Sequence, residues 1–174
     1  FKEMKRRMGI EPHEDILHSL TAMTGARRAE ANAVVLEMEA EALSKTQLQT
    51  GLHEVMTFLE KQGLPKAILT RNTDASVEHV LANHLPEYRF HPIVTRAFEP
   101  IKPSPAGIHH IASVWQLQAS EVMMVGDGVD DIEAGRAAGS VTVLVRNAEN
   151  GHVASLADHV VDSLEGLIGV VAAG

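Results

Sequence analysis

The chain has 174 residues, of which 45% are hydrophobic, and its 15 basic and 23 acidic side chains give a formal net charge of −8. This length favours one domain with at most a small additional lobe. The negative charge argues against a nucleic-acid partner, because phosphate backbones are bound by an excess of Lys and Arg.

Two further features of the composition exclude whole classes of site. The chain contains no cysteine, which excludes disulfides, thiolate metal sites and a cysteine nucleophile and suits a reducing compartment. No apolar run is long enough to cross a bilayer. We therefore expect a cytoplasmic protein with no membrane partner.

The first 49 residues have a helical pattern, with interruptions at residues 9–12 and 24–25. The stretch 26–45 contains neither Gly nor Pro, which favours one long helix. We expect residues 1–49 to form a small helical lobe and residues 50–174 to form the main domain.

From Gly51 onward, short apolar runs alternate with segments of helical spacing. We predict strands at 66–70, 92–95, 122–125, 141–145 and 159–161, with helices between them, among them 73–84 and 131–138. Strands that alternate with helices indicate a parallel sheet covered on both faces, an α/β three-layer sandwich of Rossmann-like type. Such sheets bind ligands beyond the carboxyl ends of their strands.

The strongest polar cluster is the segment 126–131, Gly-Asp-Gly-Val-Asp-Asp, which follows the predicted strand 122–125. Asp127 and Asp131 are close enough along the chain to bind one hard cation through oxygen, and Mg²⁺ fits such a site better than zinc. For a single Asp in a turn, capping of the following helix is the simpler explanation. The segment does not match a dinucleotide fingerprint, because Asp131 replaces the third glycine, or a calcium loop.

Two other polar clusters follow predicted strands. Lys102 lies between Ile101 and two nearby prolines, which stiffen the loop, and a lysine there can hold phosphoryl oxygens beside an aspartate cluster. Thr70, Arg71 and Asn72 end the strand 66–70, where a hydroxyl and an amide can bind a phosphate near a helix start. Taken alone, Lys102 is better explained as a surface charge, whereas for Thr70 and Asn72 a role as helix caps explains the pattern equally well.

In combination, these segments resemble the haloacid dehalogenase-like hydrolases, and specifically the phosphoglycolate phosphatase-like branch with a helical cap. The strand that ends at Thr70 matches that family's second motif, Lys102-Pro103 its third, and Asp127 with Asp131 four positions later its fourth. The resemblance covers nearly the whole chain from Gly51. It implies a helical cap at residues 1–49 that acts as a lid.

The resemblance also implies an activity, namely Mg²⁺-dependent hydrolysis of a small phosphorylated metabolite. Thr70 and Lys102 would hold the phosphoryl group, and Asp127 and Asp131 would position the metal, with Asp130 as the alternative to Asp131. The family's first motif, Asp-x-Asp-Gly-Thr, which supplies the aspartate nucleophile, does not occur in the 174 residues. We expect an upstream segment to supply it, on a strand between those that end at Thr70 and Asp127.

A second class of function is compatible with the same sequence. Without the Asp-x-Asp motif, the fold would serve as a non-catalytic phosphate-binding or scaffold protein. A receiver-like signalling module is less suitable, since it needs an aspartate where the first strand here ends in Thr70. The upstream sequence therefore distinguishes the enzyme from the binding protein.

Overall fold

The computed structural model describes residues 2–44 and 47–173. The chain divides into two compact units, Phe1–Gln47 and Leu48–Gly174. Within the described residues, no helix is both long enough and apolar enough to span a membrane.

The described part of the first unit consists of three helices: α1 (Lys2–Met8), α2 (Ile16–Ala22) and α3 (Gly25–Ser44). The Asp15 carboxylate caps α2 by accepting a hydrogen bond from the backbone N–H of His18 at 2.9 Å. One apolar core joins the three helices, because the seven residues that form it are all at most 9% exposed. They are Met4, Met8, Ile16, Leu20, Met23, Ala31 and Val35.

The second unit alternates helices and strands. Its helices are α4 (Leu52–Lys61), α5 (Asp74–His84), α6 (Ala106–Trp115), α7 (Val129–Ala138) and α8 (Leu167–Ala172). Its strands are β1 (Ile68–Leu69), β2 (Ile93–Val94), β3 (Met123–Gly126), β4 (Val141–Val145) and β5 (His159–Val161). Short 3₁₀ turns occupy Ala119–Glu121, Gly151–Leu156 and Leu164–Gly166.

All strand pairs are parallel, as the sequence predicts, and the expectation of an α/β fold is confirmed. Among the described residues, the strands form two sheets, one of order β1-β2 and one of order β3-β4-β5. Ile68 is in register with Ile93, and Met123 with Val141. Strands β1 and β2 are shorter than predicted, whereas β4 and β5 have the predicted bounds.

Helix α6 connects the two sheets through a shared core. Ile108 and Ala112 of α6 pack with Met124 of β3 and Ala134 of α7, and Leu69 of β1 packs against this cluster. Because side chains from both sheets meet under α6, the strands β1 and β3 belong to one layer of the unit.

The other face of the β3-β4-β5 sheet has its own core. Val143 of β4, Val55 of α4 and Leu167 of α8 are nearly inaccessible there. Apolar burial of this kind stabilises a side chain by about 1.5–3 kcal/mol relative to exposure. Strand β4 is therefore covered on both faces, which explains why four of its five residues are aliphatic and Thr142 is its only polar residue.

Asp158 and Thr142 form a closed hydrogen-bond pair between β4 and the start of β5. The N–H and hydroxyl of the fully buried Thr142 donate to Asp158 Oδ2 at 2.8 and 2.7 Å, and the Asp158 N–H donates to Thr142 Oγ1 at 3.0 Å. The donated hydrogen bonds from Thr142 hold the pKa of Asp158 below its ordinary value, with smaller contributions from His159 and Arg136.

The first prediction concerns this pair. We expect Asp158→Asn to lower the free energy of unfolding at pH 7, because the amide replaces a charged acceptor by a neutral one. A depressed folded-state pKa contributes stability above the unfolded-state pKa of about 3.9 and loses it at lower pH. Urea unfolding from pH 3 to 7 should therefore show the difference from wild type shrinking below about pH 4. A difference that does not change with pH would contradict this.

The second prediction concerns the contact of α7 with the sheet. A Cβ at Gly135 would lie 2.5 Å from Thr142 Cγ2 and 3.1 Å from Met124 Cβ. We expect Gly135→Ala to destabilise the protein by about 1–2 kcal/mol, because overpacking outweighs the gain in helix propensity. Gly169→Ala in α8 is the matched control, since a Cβ there has no atom within 4 Å and should stabilise slightly. Thermal denaturation of both variants measures the contrast.

Candidate functional site

Lys102, which is itself one of the three polar clusters, contacts the end of β1 and the segment 126–131. Its Nζ donates a hydrogen bond to the Leu69 carbonyl at 3.0 Å, at the end of β1, and forms an ion pair with Asp131 Oδ1 at the start of α7. The side chains of Lys102 and Asp131 are only 10% and 12% exposed. A largely desolvated ammonium therefore lies between the carboxyl ends of β1 and β3.

Both carboxylate oxygens of Asp131 have a partner. Besides the ion pair through Oδ1, its Oδ2 accepts a hydrogen bond from the Gly128 N–H at 3.0 Å. A Cβ on Gly126 would lie 2.5 Å from the Asp131 Cβ and closer still to its carboxylate. Only glycine at position 126 lets the carboxylate lie against the end of β3. Asp131 thus caps α7 and faces Lys102 at once.

Asp130, the neighbour of Asp131 in the chain, contacts a different cation. Its Oδ2 forms an ion pair with Arg71 Nη1, and the two side chains are 30% and 31% exposed. Consecutive residues on a helix do not face each other. The two acids at the start of α7 therefore meet two different cations, Arg71 and Lys102.

The turn after β1 carries the other predicted residues. Thr70 Oγ1 accepts a hydrogen bond from the Asn72 N–H at 3.1 Å, so the hydroxyl stabilises the turn in which Arg71 lies. Asn72 is exposed. The cap of α5 is Thr73, whose Oγ1 accepts from the Ser76 N–H at 3.1 Å. Thr70 and Asn72 are therefore not the caps of this helix.

Asp127 follows β3 and has an exposed side chain. Within residues 2–44 and 47–173, its carboxylate forms no hydrogen bond or ion pair, whereas its backbone carbonyl accepts from Asn150 Nδ2 at 3.0 Å. The same amide donates to the Val145 carbonyl at 2.9 Å. Asn150 is 6% exposed and supports the loop that carries Asp127.

Sequence reasoning missed Asn150. The signal for it is weak, since an Asn three residues after Asn147 is typical of an ordinary turn. Asn147 Oδ1 does accept from the Asn150 N–H at 3.0 Å, so the turn is real. The contact with Asp127 depends on tertiary packing and has no sequence signature.

The donor set suits Mg²⁺ better than a metal that needs a complete protein cage. Asp127, Asp130 and Asp131 carry three negative charges, and Arg71 and Lys102 carry two positive charges, so the cluster has a net charge of −1. Among the described residues, no three His, Cys, Asp or Glu side chains are grouped to hold a metal. Mg²⁺ commonly binds through one or two carboxylates, with waters and substrate phosphate completing its shell. Asp127 and Asp131 carry oxygen ligands of the kind that such a site uses.

Proteins similar to this chain in sequence indicate the family to which it belongs. The chain is 41% identical over 157 residues to an uncharacterized hydrolase of Saccharomyces cerevisiae, covering 88% of this chain and 72% of that protein. It is 33% identical to a haloacid dehalogenase-like hydrolase domain-containing protein of Arabidopsis thaliana, covering 75% and 53%. It is 32% identical to a phosphoglycolate phosphatase of Photobacterium profundum, covering 60% and 51%. The chain thus spans about half the length of the last two relatives.

Solved structures share the fold. A predicted phosphoglycolate phosphatase from Haemophilus somnus matches with a TM-score of 0.75 at 20% identity, over 86% of this chain and 68% of that one. A HAD family hydrolase from Deinococcus radiodurans, solved with bound phosphate and sodium, matches with a TM-score of 0.71 at 21% identity, over 83% and 67%. At this identity the likeness concerns the fold.

A family model supplies the last comparison. It is described as haloacid dehalogenase-like hydrolase and matches residues 2–139, a range that includes Thr70, Lys102, Asp127 and Asp131. The family model matches most of the chain, and the core has the parallel strands and the polar strand ends described above. The chain therefore belongs to the haloacid dehalogenase-like hydrolases.

Proposed function

We propose that this chain forms the larger part of a magnesium-dependent phosphohydrolase that acts on a small phosphomonoester. The observation that carries the proposal is the position of Lys102, whose ammonium contacts both the end of β1 and Asp131. A cation between two strand ends, with carboxylates beside it, provides binding for a phosphate and for its metal at one place. Phosphoglycolate phosphatases among the relatives support a small substrate.

Each residue has a role in this proposal. Lys102 and Thr70 hold the oxygens of the transferring phosphoryl group, while Arg71 and Asn72 contribute further donors from the turn after β1. Asp127 and Asp131 hold Mg²⁺, which when bound neutralises phosphate charge in the transition state. Lys102 also offsets the repulsion between the phosphate and the three aspartates. With Arg71 and Lys102 included, this cluster has a net charge of −1.

The nucleophile in this proposal is an aspartate outside residues 1–174. Its carboxylate attacks phosphorus and forms an aspartyl-phosphate as the bond to the leaving alcohol breaks, and the second aspartate of Asp-x-Asp protonates that alcohol. In the second step the same aspartate takes a proton from water, which attacks phosphorus and releases inorganic phosphate. The first carboxylate is thereby regenerated.

The pairing of β1 supports a place for such a strand. The N–H groups of Ile68 and Thr70 donate to Pro92 and Val94 at 3.1 and 2.9 Å, on the β2 side. Because backbone groups alternate in direction along a strand, Leu69 presents its N–H and carbonyl to the opposite edge. That edge is where Lys102 reaches the Leu69 carbonyl. A strand added there would end beside Lys102, within reach of a phosphate.

The third prediction tests the metal ligands in the full-length protein. We expect Asp127→Asn and Asp131→Asn each to lower kcat/KM for p-nitrophenyl phosphate at saturating Mg²⁺ by about 100-fold or more, because each removes an oxygen anion that positions the cation. Asp162→Asn is the matched control, since Asp162 is 78% exposed and pairs with Arg146 rather than with a site residue. Normal turnover in both site variants would remove the metal assignment.

The alternative is a phosphate-binding protein without catalysis, favoured by the absence of Asp-x-Asp-Gly-Thr from the 174 residues. The two functions separate in one experiment on the full-length protein. An enzyme hydrolyses p-nitrophenyl phosphate with a Mg²⁺ requirement and loses this activity when the first aspartate of its Asp-x-Asp becomes Asn. A binding protein takes up inorganic phosphate, measured by calorimetry, and has no turnover.

A further inference from the structure

The two acids that begin α7 differ in environment as well as in partner. The side chain of Asp131 is 12% exposed and is held by Lys102 and by the Gly128 N–H. The side chain of Asp130 is 30% exposed and pairs with Arg71, which lies 59 positions earlier in the chain. The sequence alone leaves open which of the two acids serves the metal, and this difference separates them.

Arg71 lies in a turn whose backbone is held on both sides. The Thr70 hydroxyl accepts from the Asn72 N–H at 3.1 Å, and the Asn72 carbonyl accepts from the Arg96 N–H at 3.1 Å. The long side chain of an arginine still has several rotatable bonds, and an anion that binds it must restrict them. A carboxylate that already restricts the guanidinium lowers this cost for a second anion.

The guanidinium of Arg71 has enough N–H donors to contact Asp130 and a phosphate oxygen at the same time. It carries five N–H donors in a planar fork, so one carboxylate can hold it while a phosphate oxygen binds another part of the fork. Asp130 engages Nη1. The pair therefore gives Arg71 a defined direction at the rim of the site that contains Lys102.

We propose that Asp130 is a positioning residue that holds Arg71 for contact with the substrate phosphate, and that Asp130 is not a ligand of the magnesium ion. This inference rests on the proposed function of the site. It assigns the second metal-binding acid to Asp131, and it gives Asp130 an effect on phosphate affinity that operates through Arg71.

The sign of one mutational effect distinguishes this role from a simple charge effect. Asp130 is negative and lies near a site for a negative ligand, so its field alone weakens phosphate binding. If Asp130 affects the site only through the electric field of its charge, Asp130→Asn should tighten phosphate binding. If Asp130 positions Arg71, the same substitution should weaken phosphate binding, because the guanidinium is no longer held.

The fourth prediction uses the full-length protein and inorganic phosphate as the probe, with calorimetry in the presence of Mg²⁺. We expect Asp130→Asn to raise the Kd of phosphate about three- to tenfold and Arg71→Ala to raise it about ten- to 100-fold, the scale of one charge-assisted hydrogen bond. In the Arg71→Ala background, Asp130→Asn should raise it no further. The Kd of Mg²⁺ alone should rise far less in Asp130→Asn, which removes only a nearby charge, than in Asp131→Asn, which removes a ligand.

Three controls complete the design. Glu133→Gln removes one negative charge from the exposed face of the same helix and should leave phosphate affinity unchanged. Asp130→Glu keeps the charged partner and should recover most of the wild-type affinity. Should Asp130→Asn lose its circular dichroism signal, Asp130→Ser, measured alone and in the Arg71→Ala background, reports the same coupling.

Several results would overturn the inference. These are tighter or unchanged phosphate binding in Asp130→Asn, an equal loss in the Arg71→Ala background, a loss of Mg²⁺ affinity in Asp130→Asn as large as that in Asp131→Asn, or no phosphate binding by the wild type. Failure of the proposed function has a different signature, because it concerns turnover. A wild-type protein that binds phosphate but cleaves no p-nitrophenyl phosphate would refute the hydrolase while the binding data still decide the role of Asp130.

Discussion

The ion pair of Lys102 with Asp131 is the contact on which the site depends. Both side chains are largely removed from water, so each charge needs the other, and separating such a pair typically costs about 3–5 kcal/mol. The same ammonium also donates to the Leu69 carbonyl. One side chain thereby ties the loop before α6 to the ends of β1 and β3, and a cation and an acid occupy the same small region.

The fold supports this contact through close packing. Glycines at 126 and 107 let Asp131 and Leu69 approach where a Cβ would collide. The shared core under α6 keeps Leu69 and Met124 in one cluster. Asn150 supports the Asp127 loop through two hydrogen bonds to backbone carbonyls. Rigid packing of this kind holds polar side chains in position before a ligand binds, which lowers the cost of binding.

The electrostatics of the site follow from the number of charges. Three carboxylates and two cations leave the cluster slightly negative, which opposes a phosphate dianion on its own. A divalent cation reverses the sign. This balance explains why a site rich in aspartate can serve an anionic substrate, and why the pairing of Asp130 and Asp131 with different cations is informative about their roles.

Much of the fold could be predicted from local sequence alone. The alternation of apolar runs with helical spacing determined the α/β class and the bounds of β4 and β5, because periodicity is a local property. The resemblance of three motifs also indicated the family. Tertiary structure alone decided that Lys102 pairs with Asp131, that Arg71 pairs with Asp130 and that Asn150 supports Asp127. Those contacts join residues 23 to 59 positions apart, and only packing brings such distant groups together.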